Sequence, residues 1–428
     1  MRIFHIVHQY PPDHIAGTEL YTRWLAQSQV AMGHVVAVFT ALNRAGSPAT
    51  EFSLEDGVSV FRRVVGVRNS TTVFLNTFHY AGLARDFATV LAEEKPDIVH
   101  IEHMMGLPVA IGQLLRESGV PYVIFLHDYW YGCANGQLLT NDTQMICDGP
   151  DSRYHNCGRC AVSRAGLGLP GQMLAPIVAP LMRRRNESLA DVYSGAARII
   201  APNEFVRHVY GQMGLTTERM TVIPMGVESP PVGFLHSPEN RNEGLKLGYI
   251  GSISPQKGIH CLVEAANGLP QEGVSLDIYG DLSVFSDYAD QLQRRATHPG
   301  ISFGGRLKRA RVWQVLAEID ALVFPTLWYE ASPFIVREAF AAGVPVIASN
   351  IGAGATMIRD GVDGLLFPPG DVESLRSILH RLMTRPGELA DLRRNIVPPP
   401  TLAEHAAAVE SLYQEVLDEY ASASPIRD

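Results

Sequence analysis

Two glutamates flank a predicted helix start in the second half of the chain, within the run Glu330–Glu338 (EASPFIVRE). Ser332 is expected to cap this helix, and Pro333 suits its first position. The first amides of a helix bind anions, so this end predicts a diphosphate site, with Glu338 accepting hydrogen bonds from ribose hydroxyls. The residues expected around the anion are Ser332, Pro333, Phe334 and Ile335. Alternatively, the two glutamates are a capping charge and a solvated face.

Cysteines are clustered in one polar segment. Cys133, Cys147, Cys157 and Cys160 follow the strand-like run YVIFLHD, and the last two form a CxxC knuckle. One CxxC plus two more thiols predicts a tetrahedral structural zinc site, because a polar insertion needs a metal to become ordered. Several alternatives stay open, namely His155 in place of one cysteine, an iron–sulfur cluster, a disulfide and free thiols.

Composition limits the class of protein. The 428 residues are 46% hydrophobic and 18% charged, with a net charge of −9, which excludes disorder and argues against nucleic-acid binding. No apolar run is long enough to cross a membrane, and the N-terminal run reads as a buried strand rather than a signal peptide. Together with few cysteines, this predicts a cytoplasmic protein.

Short apolar runs alternate with amphipathic segments, which is typical of parallel sheets covered by helices. One series of strands and helices ends near residue 201, and a second starts near residue 245. The Pro- and Gly-rich segment Ile223–Ser237 between them reads as a linker. The sequence therefore predicts an α/β fold of two Rossmann-like, doubly wound domains that face each other across a cleft.

The predicted domains have the following bounds. Residues 1–225 form the N-terminal domain, with the cysteine-rich insertion at about 128–165. Residues 226–400 form the C-terminal domain, and 401–428 supply a helix that packs back across the domains. The stretch Gly166–Arg185 is apolar, contains three prolines and ends in three arginines. It is interpreted as a helix lining the cleft or as a membrane-surface segment.

Several motifs occur in the order found in one enzyme family. The segment from Phe324 to Ser349 resembles the Glu-x7-Glu signature of retaining GT-B glycosyltransferases of family 4. HQYPPDHIAGTE resembles the family's N-terminal glycine loop, YIGSISPQKG its phosphate loop, and DGVDGLLFPPGD its C-terminal strand and turn. The resemblance implies the GT-B fold and a hexosyltransferase that uses a nucleotide diphosphate sugar, with UDP or GDP as the nucleotide. It also implies that residues 1–225 are the acceptor-side domain and residues 226–400 the donor-binding domain, with Gly166–Arg185 beside the acceptor.

The resemblance also implies roles for individual residues. Gly17 brings a backbone amide close to the donor phosphate or the acceptor, and Lys257 neutralises the diphosphate. Gly251 and Ser252 stand where the family has Gly-Arg, which leaves the phosphate clamp short of one arginine. Arg306 and Arg337 are the two candidates to replace it.

His127, at the end of a strand, is expected near the hydroxymethyl group of the transferred sugar, where it steadies positive charge. Glu330 is expected to contact hydroxyls of the same sugar, and Glu338 the ribose.

The reaction implied by the family is a front-face transfer in which the leaving phosphate deprotonates the acceptor, with no catalytic metal. The expected acceptor is a cell-envelope, polysaccharide or lipid-linked glycan, and the enzyme is expected to contact the inner face of a membrane peripherally. Two other functions remain open. One is a nucleotide-sugar-binding scaffold or regulatory subunit, and the other is a GT-B nucleotide-sugar epimerase.

Overall fold

The computed structural model describes residues 1–167, 171–234 and 244–423. Three predicted segments lie partly outside this range. They are the linker at 235–237, the apolar stretch at 168–170 and the C-terminal segment at 424–428. The chain divides into two compact units, which are residues 1–226 with 402–428, and residues 227–401.

Unit 1 contains a sheet of eight described strands in the order β3-β4-β2-β1-β5-β6-β7-β8. The strands are β1 Arg2–Val7, β2 Val35–Leu42, β3 Thr50–Glu55, β4 Val58–Val64, β5 Ile98–Ile101, β6 Tyr122–Phe125, β7 Arg198–Ala201 and β8 Met220–Val222. The helices are α1 Gly17–Ala31, α2 Ser70–Asn76, α3 Ala81–Glu94, α4 Ala110–Ser118, α5 His155–Arg164, α6 Ala175–Ser194, α7 Glu204–Gln212 and, at the far end of the chain, α15 Leu402–Ala423.

The sheet of unit 1 is parallel except at one edge. β3 is an edge strand that the alternation of apolar runs does not predict, and it pairs with β4 in the antiparallel direction. The connection is the two-residue turn Asp56-Gly57, and both residues have positive φ, at 50° and 82°. Asp-Gly favours this turn because its twist matches that of the two strands. The remaining strand pairs in the described part of this sheet are parallel.

Unit 2 contains a parallel sheet in the order β11-β10-β9-β12-β13-β14. The strands are β9 Leu245–Ile250, β10 Val274–Tyr279, β11 Ile301–Gly305, β12 Ala321–Phe324, β13 Val346–Ser349 and β14 Gly364–Phe367. The helices are α8 Ile259–Asn267, α9 Ser286–Arg295, α10 Arg309–Glu318, α11 Phe334–Ala341, α12 Gly352–Thr356, α13 Val372–Thr384 and α14 Pro386–Arg394.

Both units are Rossmann-like, because helices connect parallel strands and cover the sheets. In unit 2, two buried apolar clusters pack around the sheet, one including α8 and α13 and the other including α10 and α11. The order of each sheet reverses next to its first strand, β1 in unit 1 and β9 in unit 2. The carboxyl ends of strands at such a reversal are where parallel sheets bind ligands.

Candidate functional site

A glycine allows two loops of unit 2 to meet at the carboxyl ends of β9 and β12. After β9 the chain forms a short 3₁₀ turn, Pro255–Lys257, that ends at Gly258 with φ +69°. A Cβ at Gly258 would lie 1.9 Å from the carbonyl oxygen of Pro325, so a side chain there would push the loops apart. The amide of Leu327 donates to the carbonyl of Gln256 at 2.9 Å and fixes the contact.

This contact brings Lys257 and Glu330 together. The Lys257 ammonium forms an ion pair with Oε1 of Glu330, and the indole N–H of Trp328 donates to the same oxygen at 2.9 Å. The ammonium also lies 5.6 Å from the centre of the Trp328 ring. The two charged side chains are 19% and 12% exposed, so their charges are only partly screened. The arrangement holds a cation at a fixed place beside the start of α11.

The carboxylate of Glu338 is engaged by an arginine that the sequence analysis did not identify. Glu338 lies in α11 with a side chain only 4% exposed, and it accepts a hydrogen bond from Nη1 of Arg309. Arg309 also donates to Glu228, at 2.7 Å from Nη2 and 3.0 Å from Nε. Burial raises the pKa of Glu338, and Arg309 opposes that rise. A ribose at this place would share Glu338 with the guanidinium.

The start of α11 differs from the prediction. The helix begins at Phe334, and Pro333 occupies the capping position rather than the first turn, with no side-chain cap. Ser332 does not cap the helix, because its hydroxyl accepts a hydrogen bond from Nε of Arg337 at 3.4 Å. Phe334 and Ile335 are half-buried at this helix end.

The other residues predicted near the phosphate are placed around the β9 loop. The Gly251 amide donates to the carbonyl of Tyr279, and the Ser252 carbonyl accepts from the Tyr249 hydroxyl at 2.8 Å. Gly251 is half-buried and Ser252 is exposed.

Neither candidate for the missing arginine joins the Lys257–Glu330 pair. Arg306 is 68% exposed and lies 3.9 Å from a carboxylate oxygen of Asp281. Arg337 is buried, and burial lowers its pKa to about 10. The arginine that contacts a glutamate of this segment directly is Arg309, which pairs with Glu338.

Replacing Arg309 by alanine is expected to destabilise the protein by about 1–3 kcal/mol, because Glu338 would keep a buried carboxylate without its guanidinium. Chemical denaturation measures the change. Arg311→Ala, on the exposed side of the same helix, is the matched control and should change stability by less than about 0.5 kcal/mol. Equal effects of the two variants would contradict the assigned role of Arg309.

In unit 1, three neighbouring strands bring a glutamate and two histidines together. Glu102 follows β5, and its two oxygens each lie 2.9 Å from a histidine nitrogen, Nδ1 of His5 in β1 and Nε2 of His127 after β6. The Glu102 side chain is fully buried. Burial raises the pKa of its carboxyl, but His100, His127 and His5 outweigh burial and hold the pKa well below its usual range. Glu102 thereby fixes the ring of His127, the residue predicted near the sugar.

The hydrogen bonds continue from His5 into the protein. Nε2 of His5 donates to the side-chain oxygen of Gln29 at 2.7 Å, and the Gln29 amide donates to the Tyr413 hydroxyl at 3.3 Å. That hydroxyl donates to Nδ1 of His100, whose pKa burial lowers to about 3, so His100 is neutral. Metal-type ligand atoms of His5, His100 and Glu102 lie within 4.8 Å of one another. These atoms are already hydrogen-bonded, as expected of a buried polar network.

A second pair lies beside the first at the same strand ends. Nε2 of His103 donates to Asp128 at 3.0 Å, because Nδ1 of His103 already accepts from the Met105 amide. The His103 ring stacks on that of His8 with centroids 4.5 Å apart. His8 and His103 are buried, while the Asp128 side chain is 38% exposed. Asp128 is therefore the member of this pair that solvent or a ligand can reach.

Gly17 is the first residue of α1, and it is exposed. The Glu19 carboxylate accepts from the Ala16 amide at 3.1 Å and lies 3.3 Å from both His8 and His14. Burial raises the pKa of Glu19, but the two histidines and a backbone hydrogen bond outweigh it and bring the pKa to about 2. This buried carboxylate fixes the backbone on which Gly17 lies.

The cysteine-rich insertion folds onto α6. Cys133 and Cys147 stand at either end of a small loop that is closed by the bridge between Leu139 and Ile146. Cys157 and Cys160 lie in the first turns of α5. A Cβ at Gly158 would lie 2.3 Å from the carbonyl oxygen of Ala175, so this CxxC glycine lets α5 pack closely on α6.

All four thiols are free and half-buried. Asn141 donates to the Cys160 sulfur from its amide side chain at 3.1 Å, and the Cys133 thiol donates to Asn135 at 2.8 Å. Burial raises the pKa of Cys157 to about 12. Across the described residues, the thiols do not form a group of three with sulfurs within 4.8 Å of one another. His155 is exposed on α5.

Sequence reasoning did not identify Arg309, Glu102 or Trp328. Glu102 and His103 directly follow the strand-like run IVHI. A carboxylate directly after a buried parallel strand indicates a residue at the edge of the sheet where ligands bind, so Glu102 could have been identified. Arg309 and Trp328 carry no local signal, since each becomes important through a contact with a distant residue.

Both halves of the chain match models of known families. Residues 16–226 match the glycosyl transferase 4-like domain, and residues 244–385 match the glycosyl transferases group 1. An uncharacterized glycosyltransferase of Methanocaldococcus jannaschii is 23% identical over 386 residues, which are 90% of this chain and 89% of that protein. The exopolysaccharide phosphotransferase of Streptomyces coelicolor is 33% identical over 174 residues, but these are 40% of this chain and only 18% of that protein.

Solved structures show the same fold. Sucrose-phosphate synthase from Thermosynechococcus elongatus superposes with a TM-score of 0.72 at 17% identity, covering 98% of this chain and 99% of that one. Anabaena HepE, in complex with UDP and glucose, has a TM-score of 0.62 at 18% identity, covering 99% and 100%. The predicted fold and enzyme class are confirmed, and the chain belongs to the GT-B glycosyltransferases related to family 4.

Proposed function

We propose that this glycosyltransferase moves a hexose from a UDP- or GDP-sugar to a glycan acceptor and retains the anomeric configuration. The ion pair of Lys257 and Glu330 carries the proposal, because it holds a cation beside the helix start where the sequence predicts the diphosphate. The structurally similar HepE, which binds UDP and glucose, supports a nucleotide-sugar donor.

In the proposed step, the bond between the anomeric carbon and the phosphate oxygen breaks while the acceptor oxygen bonds to the same face of the sugar. The acceptor proton passes to the departing phosphate oxygen. Lys257 stabilises the charge that develops on the diphosphate, and Glu330 holds Lys257 in place and contacts sugar hydroxyls. His127, held by Glu102, lies near the hydroxymethyl group, and Glu338 binds the ribose together with Arg309.

The donor-side residues of the proposal lie at the start of α11 and within it, in the loop after β9, and directly after β11. In full, they are Gly251, Ser252, Lys257, Arg306, Ser332, Pro333, Phe334, Ile335 and Glu338, with Gly17 contributed by α1.

The proposed acceptor is a cell-envelope, polysaccharide or lipid-linked glycan. Met173, Leu174 and Ile177 are exposed apolar side chains at the start of α6, and Arg164 and Arg184 are exposed close by in sequence. Apolar side chains with nearby arginines favour peripheral contact with an anionic membrane surface. No helix in the described ranges is long and apolar enough to span a bilayer.

A transfer assay tests the function. Purified protein is incubated with a panel of UDP- and GDP-hexoses and envelope glycan fractions, and nucleotide release and the anomeric configuration of the product are measured. We expect one donor to release nucleotide with transfer and retention. Binding of a nucleotide sugar without transfer or hydrolysis would identify a scaffold, and a donor epimerised in place would identify an epimerase. An inverted product would overturn the retaining mechanism.

We also propose that Cys133, Cys147, Cys157 and Cys160 bind one structural zinc ion. Four cysteines from a closed loop and a first helical turn are the ligand set of many structural zinc sites. Zinc–sulfur bonds of about 2.3 Å would bring the four sulfurs to about 3.8 Å from one another. The structure places no three of these sulfurs within 4.8 Å of one another, so metal binding would draw them together. The bound metal would order the loop that carries Cys133 and Cys147 next to His127.

A further inference from the structure

The ring of His127 is hydrogen-bonded on one side only. Its Nε2 lies 2.9 Å from Oε2 of Glu102, whereas Nδ1 has no hydrogen-bond partner within residues 1–167, 171–234 and 244–423 and is not closed off from solvent. Two aromatic rings pack against the imidazole, those of Tyr21 and Phe125, with centroids 4.8 and 4.6 Å away. The ring is therefore held in one orientation, with Nδ1 as the nitrogen that a ligand can reach.

The carboxylate of Glu102 is shared by two histidines. Its Oε1 lies 2.9 Å from Nδ1 of His5, whose Nε2 donates to the side-chain oxygen of Gln29 at 2.7 Å. Both nitrogens of His5 thus face oxygens that accept hydrogen bonds, so His5 carries two N–H groups and a positive charge. Glu102 is ionised, because the surrounding histidines hold its pKa well below its usual range. The charges of Glu102 and His5 therefore balance each other without a contribution from His127.

This arrangement decides which nitrogen of His127 carries hydrogen. An ionised carboxylate only accepts hydrogen bonds, so Nε2, the nitrogen that faces Glu102, carries the hydrogen. A second imidazolium beside His5 would place two cations on one carboxylate in a buried cluster, which is unfavourable. Asp128, the carboxylate that follows His127 in the chain, is already bonded to His103 at 3.0 Å. His127 is therefore neutral, with a lone pair on Nδ1.

We propose that Glu102 is a positioning residue of the transfer reaction, which holds His127 with Nδ1 as the acceptor for the primary hydroxyl of the transferred sugar. The inference rests on the proposed function, in which His127 lies near the hydroxymethyl group, and it adds the donor class, a hexose with a free 6-hydroxyl. A 6-deoxy sugar has no hydroxyl proton to offer to Nδ1, and the carboxylate of a uronic acid would face a lone pair. The site thus disfavours both.

The first measurement is the protonation of His127 in the full-length protein, by nitrogen-15 NMR after labelling of the histidines. The two neutral forms of histidine and the imidazolium give distinct ring-nitrogen signals, and His127→Asn identifies the signals of His127. We expect hydrogen on Nε2 and a lone pair on Nδ1 in the wild-type protein at pH 7. Hydrogen on Nδ1, alone or in an imidazolium, would overturn the proposal without any assay of activity.

The second measurement compares kcat/KM for the hexose donor found in the transfer assay with kcat/KM for its 6-deoxy analogue. Wild type should prefer the hexose about tenfold or more. Glu102→Gln keeps the size of the side chain but loses its charge, and it should lower kcat/KM for the hexose about tenfold, the scale of one hydrogen bond. The 6-deoxy donor should stay within about threefold, because it makes no contact that the variant loses.

A second histidine–glutamate pair provides the matched control. Glu410 in α15 lies 2.8 Å from Nε2 of His34, which directly precedes β2 and so lies at the opposite edge of the sheet from His127. Glu410→Gln should leave kcat/KM unchanged for both donors.

Equal losses for the two donors in Glu102→Gln would overturn the positioning role, because they would indicate a structural role only. An unchanged preference for the hexose in this variant would overturn it as well. If Glu102→Gln does not fold, equal kcat/KM of wild type for the two donors still contradicts the proposal. If no nucleotide sugar is turned over at all, the proposed function fails and the donor class with it, whereas the NMR result still decides the protonation of His127.

Discussion

Replacing Lys257 by alanine is expected to lower kcat for sugar transfer by about 10²–10³-fold, the effect of removing one group that stabilises developing charge. Lys257 is held by Glu330 and Trp328 at the end of β9, so its position does not depend on the donor. Steady-state kinetics with the donor found in the transfer assay measures the change. The melting temperature should fall only modestly, because Glu330 keeps the hydrogen bond from Trp328 when Lys257 is removed.

A second lysine of the same unit provides the control. Lys246, in β9, lies 3.8 Å from Asp277 and 3.6 Å from Glu318 and is 32% exposed. Lys246→Ala removes the same charge from the unit and should keep kcat within about twofold, since Lys246 lies at the amino end of β9, away from the strand end that Lys257 follows. If Lys257→Ala retains the wild-type rate, the diphosphate is bound by other residues.

Replacing Glu102 by alanine is expected to destabilise the protein by about 3–5 kcal/mol, the cost of breaking a buried ionic pair. The carboxylate joins His5 and His127, and its side chain has no exposed surface. Urea denaturation at pH 7 measures the loss. Glu94→Ala is the control, because Glu94 pairs with Arg2 at the surface and should cost no more than about 1 kcal/mol. Similar losses in both variants would contradict the central position of Glu102.

The pH dependence gives Glu102→Ala a second readout. The pKa of Glu102 lies below its ordinary value in the folded protein. Its stabilising contribution is therefore complete above the ordinary glutamate pKa of about 4.3 and is lost as the pH falls further. The stability difference between wild type and Glu102→Ala should shrink below about pH 4. A difference that stays constant down to pH 3 would mean that cavity formation, rather than charge, causes the loss.

The sequence predicted most buried parallel strands because each is a short apolar run bounded by Gly, Pro or Asp. It did not predict β3, although Asp56-Gly57 is a strong hairpin signal. The strand TEFSLE is polar and exposed on an edge, so apolar periodicity does not identify it. The sequence also did not predict β11 (ISFGG). Half-buried and exposed residues alternate along this short edge strand, so it contains no continuous apolar run.

The candidate site was predictable only where residues adjoin a strand or helix end. Glu330, Lys257 and His127 follow or precede recognisable elements, and the structure brings Lys257 and Glu330 into contact. Ser332 shows the limit of local reasoning. Its type suits a cap, but Arg337 engages its hydroxyl. Arg309 is the opposite case, a residue that belongs to the site although no local pattern indicates it. Its contact with Glu338 joins two helices that the sequence does not place side by side.

The helix α15 belongs to unit 1, although all of unit 2 precedes it in the chain. Its Tyr413 contacts His100 and Gln29, and its His405 accepts a hydrogen bond from Tyr21 in α1. During synthesis, the surface of unit 1 that α15 covers therefore stays exposed until the ribosome has made unit 2 and α15. Unit 2, in contrast, is a continuous segment that can fold as soon as it emerges. The order of folding on the ribosome is thus expected to be the reverse of the order of the units in the sequence.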